Sequence, residues 1–328
     1  MDGSSPRPVR AKYTIRNAPV QVLRGFCMGS ADIVPGVSGG TVALVFGIYE
    51  TLIGSIREGA RSLGRFVKGD VRGGLDGLRS IDWFFLVPLG VGILLAVASL
   101  ATTIEHLLEE EPVRIAGVFF GLVTASTVVA WRLLNVRDGV RIAVLVGVSI
   151  VMFFLMGIRS GPVGSPPIWA FLIGGSIAIC AMILPGVSGS FLLLAIGLYD
   201  PVLEAVHDRD IVSLLVFMLG CVLGLAAFSS LLHWALDRHY DTVMAGLIGL
   251  LVGSLRVLWP WPDGVGIPEQ TDDAGNVIVE GTSGAELGAP TDDVLVPILL
   301  AVLAAAVVLG FTFFAEKRAQ KAIANQPS

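Results

Sequence analysis

The sequence predicts an all-α integral membrane protein with an inverted-topology repeat, each repeat a re-entrant broken-helix hairpin followed by three transmembrane helices. Three observations predict it. Of 328 residues, 54% are hydrophobic and only 15% are charged, which is far from the mix of a soluble domain. The stretch Asp32-Ile33-Val34-Pro35-Gly36-Val37-Ser38-Gly39-Gly40-Thr41 returns as Met182-Ile183-Leu184-Pro185-Gly186-Val187-Ser188-Gly189-Ser190-Phe191. At that offset of 150, Ala31–Glu50 and Ala181–Asp200 share ten of twenty residues, the mark of an internal duplication. Third, the basic residues gather in alternate connections between the apolar segments.

Residues 1–17 form a basic tail (Arg7, Arg10, Lys12, Arg16) that enters a helical pattern without a small-residue cleavage site, so it does not read as a signal peptide. Repeat 1 covers 18–157 and opens with a hairpin over 18–56, broken at Pro35 and Gly36. Proline cannot continue a helical hydrogen-bond ladder and drives the residue before it out of the helical region, while glycine lets the chain turn sharply. A helix therefore stops before Pro35 and another starts near Ser38. Each arm is about 16 residues, roughly 24 Å at 1.5 Å per residue, against a hydrocarbon core of about 30 Å. A hairpin that enters and leaves on one side fits better than two full spans.

From 52 to 71, apolar Leu52, Ile56, Ala60, Leu63, Val67 and Val71 share one helical face, and Arg57, Arg61, Arg65, Lys68 and Arg72 fill the other. That pattern predicts a helix lying in the membrane interface. Spans follow at 83–104, 113–134 and 140–157. Repeat 2 covers 167–314: a hairpin at 167–200 broken at Pro185 and Gly186, then spans at 211–236, 242–259 and 294–314, with an acidic, exposed loop at 260–293. Residues 315–328 form a second tail. Cys27, Cys180 and Cys221 lie in apolar stretches without metal-type spacing and read as buried thiols.

If each hairpin enters and leaves on the same side, one face receives 18 of the 22 Lys and Arg residues. The other face receives Glu109–Glu111, the Asp200–Asp210 connection and the acidic loop. The excess of positive charge marks the cytoplasmic side, so both termini are expected in the cytoplasm of a cytoplasmic-membrane protein. One hairpin plus three spans is an odd number of crossings, so the second repeat is inserted upside down. The two Pro-Gly-Val-Ser-Gly tips are then expected to meet near the membrane middle, the architecture of alternating-access carriers.

Ser38, Gly39, Gly40 and Thr41, with Ser188, Gly189 and Ser190, are the candidate substrate-binding residues: small, donor-rich positions at helix starts suit a phosphate or carboxylate. Small residues also let membrane helices approach, which is the competing explanation. Asp32 is an ionisable group near membrane depth with Met182 as its counterpart. Gating, capping of the following turn and proton coupling are its candidate roles. Arg24 is about 11 residues before the tip and is placed to receive an anionic head group or to snorkel to the interface. Glu50 and Asp200, beside Tyr49 and Tyr199, read as interfacial anchors at the ends of the hairpin arms. Gly36-Val37-Ser38-Gly39-Gly40 also fits the Gly-x-Ser-x-Gly elbow of serine hydrolases, which keeps an intramembrane hydrolase using Ser38 as an alternative. Its weakness is that His106, His207, His233 and His239 all fall near span ends or in connections, whereas a nucleophile needs a base in reach. A carrier or channel for a small anion is the other alternative, and a helper subunit without a pathway the third.

Gly25-x-x-Met28-Gly29-x-Ala31-Asp32-Ile33-Val34-Pro35-Gly36-Val37-Ser38-Gly39-Gly40-Thr41, ending in Gly47-Ile48-Tyr49-Glu50, together with Leu184-Pro185-Gly186-Val187-Ser188-Gly189-Ser190, resembles the polyprenyl-phosphate translocase family. The resemblance runs from about Pro19 to Phe314. It implies a transporter, not an enzyme, that moves undecaprenyl phosphate or a dolichyl-type phosphate across the cytoplasmic membrane and returns it to the inner leaflet. No cofactor, metal, nucleic acid or obligate protein partner is implied; the partners are the lipid and the bilayer. The long acidic 260–293 loop departs from the family pattern.

Overall fold

The computed structural model describes residues 14–33, 38–157, 166–262, 264, 270–271, 277–279, 287–290 and 294–324. Pro35 and Gly36, most of the basic tail, the 158–165 connection, much of the 260–293 loop and residues 325–328 lie outside the described residues.

After a 3-10 turn at Ile15–Asn17, α1 (Ala18–Asp32) starts with proline in its first turn, where the missing N–H removes no internal bond. Helix α2 (Gly39–Val45) is capped by the Ser38 side chain. It closes through Gly47, whose φ is +65°, with Gly47 N–H donating to Leu44 and Ile48 N–H to Ala43. Only a residue tolerant of the left-handed region makes this turn cheaply. In the second repeat, α8 (Ile168–Ile183) and α9 (Gly189–Ala195) repeat the device at Gly197, φ +71°, with Gly197 bonding to Leu194 and Leu198 to Leu193. The duplication thus extends from sequence to backbone.

Between the hairpins come α3 (Tyr49–Val67), α4 (Val71–Ser80), α5 (Trp83–Glu110), α6 (Pro112–Leu133) and α7 (Gly139–Leu155). After α9 follow α10 (Tyr199–His207), α11 (Ile211–Ser254), a two-stranded antiparallel ribbon of β1 (Gln270–Thr271) and β2 (Val277–Val279), and α12 (Leu295–Ala324). Four of these helices, within α5, α6, α11 and α12, are long and apolar enough to cross a membrane, or five spans if bent α9–α10 counts as one. Helices α7 and α8 are apolar but shorter.

Several expected boundaries differ. The amphipathic segment placed at 52–71 begins at Tyr49, as part of α3, and ends at Val67; a separate helix, α4, follows because Gly69 turns the chain at φ +80° and Asp70 caps the Gly73 N–H. The spans expected at 211–236 and 242–259 join in one run, α11, interrupted only by the non-helical backbone of His239. No proline or glycine stands between Ala235 and Met244 to stop the helix earlier. The second limb ends at Ser254 and passes through turns to Leu258. Helix α12 runs past 314 into the expected tail, and the acidic loop carries the ribbon.

The body is held by four helix pairs that pack at glycine contacts. On α1 and α5, a Cβ at Gly25 would strike the Leu89 carbonyl, and one at Gly29 would lie 2.6 Å from that of Ile93. On α8 and α11, Ser176 donates to the Gly220 carbonyl at 2.9 Å and the Cys180 thiol to that of Gly224 at 3.7 Å. Helix α6 meets α12 where Gly117 faces Pro297 and Gly121 faces Ala301, and α7 meets the second limb of α11 where Gly249 faces Leu145 and Gly253 faces Ser149. In every pair the contact residues ascend together, so the partners run parallel. Small residues permit this approach, and dispersion and backbone contacts then replace the hydrophobic drive that a lipid solvent lacks. Leu94, Leu95, Leu215, Leu219, Leu299 and Leu303 remain exposed on the outside, a surface suited to hydrocarbon rather than water.

Candidate functional site

The end of α1 lies beside the middle of α5, since Gly29 faces Ile93 and Ala96 in a helix running from Trp83 to Glu110. The end of α8 likewise lies beside the middle of the first limb of α11, with Cys180 at Gly224. The described residues flanking both breaks therefore sit deep in the body, and there they engage each other.

Ser38 is 1% exposed. Its hydroxyl donates to the Met182 carbonyl at 3.2 Å and accepts from the Gly40 N–H at 3.1 Å. Thr41 is 0% exposed, and its Oγ1 accepts from the Gly186 N–H at 2.9 Å. Tyr49, 2% exposed, donates its phenol to the Ile183 carbonyl at 3.1 Å. A Cβ on Gly40 would come within 2.9 Å of the same Ile183 carbonyl. The physical origin is the second break: because α8 ends at Ile183, its last carbonyls have no intrahelical donor. The first hairpin supplies three hydroxyls to this junction, two as donors and one as acceptor.

Asp32 folds back on the start of α2, accepting from the Gly39 N–H at 2.6 Å. The first two amides of α2 are thus occupied, Gly39 by Asp32 and Gly40 by Ser38. The second tip is arranged differently. Ser188 is half-buried, makes no cap to α9, and pairs its hydroxyl with that of exposed Ser190 at 2.8 Å. Gly189 is packed against Ala178 and Met182. Among the described residues at the breaks, the exposed polar groups are thus Asp32 from the first and Ser190 from the second.

The structure brings Ser38, Gly40 and Thr41 against Met182, Ile183 and Gly186, not against Ser188 and Ser190. Arg24, half-buried on α1, points its guanidinium at Gln21 (3.4 Å) and over the Phe46 ring (6.0 Å) at the far end of α2 from the tip. Tyr49 is no interfacial anchor: it is buried, belongs to a core cluster drawn from both repeats, and is bonded to Ile183. Sequence reasoning missed its role, although its recurrence as Tyr199 at the duplication offset was a signal. The hydroxyl of Ser38 has backbone partners on both sides, an arrangement for joining segments rather than for a nucleophile awaiting a base. Among the described residues, no group of His, Cys, Asp and Glu is arranged to hold a metal ion.

The family described as undecaprenyl phosphate translocase-like matches residues 28–276. A protein of Vibrio cholerae serotype O1 named polyprenyl-phosphate transporter is 40% identical over 304 residues, covering 90% of this chain and 96% of that protein. A protein of Staphylococcus aureus of the same name is 31% identical over 259 residues, covering 74% of this chain and 86% of that protein. No solved structure matches the chain.

Proposed function

The chain belongs to the undecaprenyl phosphate translocase-like family, and on that premise we propose that it transports a polyprenyl monophosphate lipid across the cytoplasmic membrane, returning it to the cytoplasmic leaflet. The observation that supports this reading best is the pair of polar helix breaks engaged deep inside an otherwise apolar body. A lipid phosphate needs help only with its head group, because its tail stays in hydrocarbon while the anion follows a polar path. Irregular backbone at that depth is tolerated where protein or a wet pathway satisfies it.

The topology we propose is the inverted repeat, with both termini cytoplasmic. Parallel packing of α1 on α5 and of α8 on α11 supports it: each hairpin arm enters beside the full span that follows its own hairpin, and stops halfway. In the same reading α11 reverses at His239, its two limbs being separate crossings, and α6–α12 and α7–α11 are the contacts between repeats. The domain boundaries follow: 18–157 and 167–314, joined across the 158–166 connection.

Within that frame the head group meets Ser188 and Ser190 on the exposed side of the junction, with Gly189 buried between them as backbone support. Ser38, Gly39, Gly40 and Thr41 serve it from the other side once the junction opens. The hydroxyls and amides replace water around the phosphate oxygens. Asp32 gates: as an anion it occupies the Gly39 amide that a phosphate would otherwise take, so the head group gains that donor only when the carboxylate leaves or is protonated. Arg24 stands at the cytoplasmic entrance.

The test is leaflet exchange of a labelled polyprenyl phosphate in proteoliposomes. Wild type is expected to equilibrate the head group. Ser190→Ala is expected to lower apparent affinity about 10- to 150-fold, the range for losing one hydrogen bond of about 1.5–3 kcal/mol to a charged group. Competition by inorganic phosphate with indifference to the lipid tail would instead identify a small-anion carrier.

A further inference from the structure

Matched positions of the two repeats stand in different environments. Tyr49 is buried and bonded across to Ile183, whereas Tyr199 is half-buried in a cluster of its own repeat with Ala170, Ala178, Leu193 and Leu198. Ser38 is bonded across to Met182, whereas Ser188 bonds to Ser190 beside it. Leu44 is 3% exposed and its counterpart Leu194 is 37% exposed. Gly40 is buried and Ser190 exposed. Each difference has the same sense: the first hairpin is engaged with the end of α8, and the second is released from the end of α1.

We infer that Tyr49 and Tyr199 are positioning residues for transport that work as alternating latches. In the arrangement seen here Tyr49 holds the Ile183 carbonyl and seals the face bearing α3. In the exchanged arrangement Tyr199 holds the carbonyl of Ile33, the residue that matches Ile183 at the 150-residue offset, and seals the face bearing α10. Ser188 then donates to the Asp32 carbonyl as Ser38 now donates to that of Met182. The chemistry is available on both sides, because each break leaves a helix-end carbonyl without a helical donor. Each tyrosine begins the helix after its hairpin turn, α3 and α10. A phenol is long enough to reach across while its ring stays in apolar packing. The inference rests on the inverted-repeat reading.

The experiment uses the full chain with Cys27, Cys180 and Cys221 replaced by alanine, in proteoliposomes, with single reporters Ser190→Cys or Leu44→Cys and a hydrophilic maleimide. Labelling rates are compared with Tyr49 or Tyr199 changed to phenylalanine, each variant checked for monodispersity in detergent. Tyr49→Phe is expected to raise the Leu44→Cys rate relative to the Ser190→Cys rate about fivefold, the weight of one hydrogen bond. Tyr199→Phe is expected to move the ratio by a similar factor the other way. A structural role alone predicts no such opposition. Shifts in the same direction, or none, overturn the inference; if Tyr49→Phe is not recovered folded, the Tyr199→Phe arm decides alone by its sign. Arg65→Cys and His207→Cys, both exposed positions, separate the two levels. If they label from opposite faces while the tyrosine variants do not diverge, the latches are wrong and the inverted repeat stands. Labelling from one face removes the repeat reading and the latches together.

Discussion

Thr41→Val probes the junction of the two breaks at its most buried bond. The substitution keeps the branched shape, so it leaves no cavity, but it removes the Oγ1 acceptor that lies 2.9 Å from the Gly186 N–H. Gly186 is itself buried, at φ +78°. Its N–H is then stranded away from water, and a buried unsatisfied donor costs about 1–3 kcal/mol. If local opening of the second break exposes this amide, the opening constant rises roughly 5- to 150-fold at about 1.4 kcal/mol per tenfold. Hydrogen exchange followed by mass spectrometry on overlapping peptides across 184–190, compared to isolate Gly186, reads that amide. Thr41→Ser, which retains the hydroxyl, serves as the control and is expected to stay near wild type. Unchanged exchange in Thr41→Val, or equal acceleration in both variants, would refute the bond as the element joining the two segments.

Two further outcomes follow from packing and capping. Gly25→Ala drives a methyl into the Leu89 carbonyl between α1 and α5, whereas Gly90→Ala meets nothing within 4 Å; overpacking of about 1–3 kcal/mol is expected to lower the thermal midpoint of the first variant only. Asp138 caps α7 by accepting from the Arg141 N–H at 3.0 Å and from its guanidinium at 2.6 Å. The Arg141 backbone bond, with the Arg141 charge and side-chain bond adding to it, holds the Asp138 carboxyl below its ordinary 3.8. A depressed folded value means the cap stabilises fully above 3.8 and is lost as pH falls through the lowered value. The gap in thermal midpoint between wild type and Asp138→Asn should therefore be constant near neutrality and narrow only below pH 3.8; a gap that narrows between pH 5 and 7 would contradict the assignment.

Sequence alone carried the positions where the helices break, because proline and glycine act through local backbone chemistry: α1 ends at Asp32 and α2 begins at Gly39, around Pro35-Gly36. The apolar helices α5, α6 and α12 were legible for the same kind of reason, since length and apolar content are properties of a segment. What stayed hidden depends on contacts between distant segments. The hydroxyls of Ser38, Thr41 and Tyr49 looked like ligands or anchors until the ends of α8 were placed beside them, 134 to 145 residues away. Helix α4 was missed because its apolar face is short and glycine-rich, with Gly73, Gly74 and Gly77 in ten residues. The α11 run hid the opposite way: charged Asp237, Arg238 and Asp241 looked like a connection, yet these residues tolerate helix, and Asp241 accepts from the Asn135 and Val136 amides at 2.7 and 3.3 Å.

The duplication is imperfect at one place that matters. Thr41 receives the Gly186 amide in the arrangement seen here, but the residue standing in its place in the second repeat is Phe191, whose side chain has no oxygen to accept a matching bond. On the alternating-latch proposal the two faces of the carrier are therefore unequal at rest. On that proposal one hydrogen bond of about 1 kcal/mol tilts the empty protein about fivefold toward the arrangement seen here. A rocker weighted on one arm would settle the same way each time it is emptied.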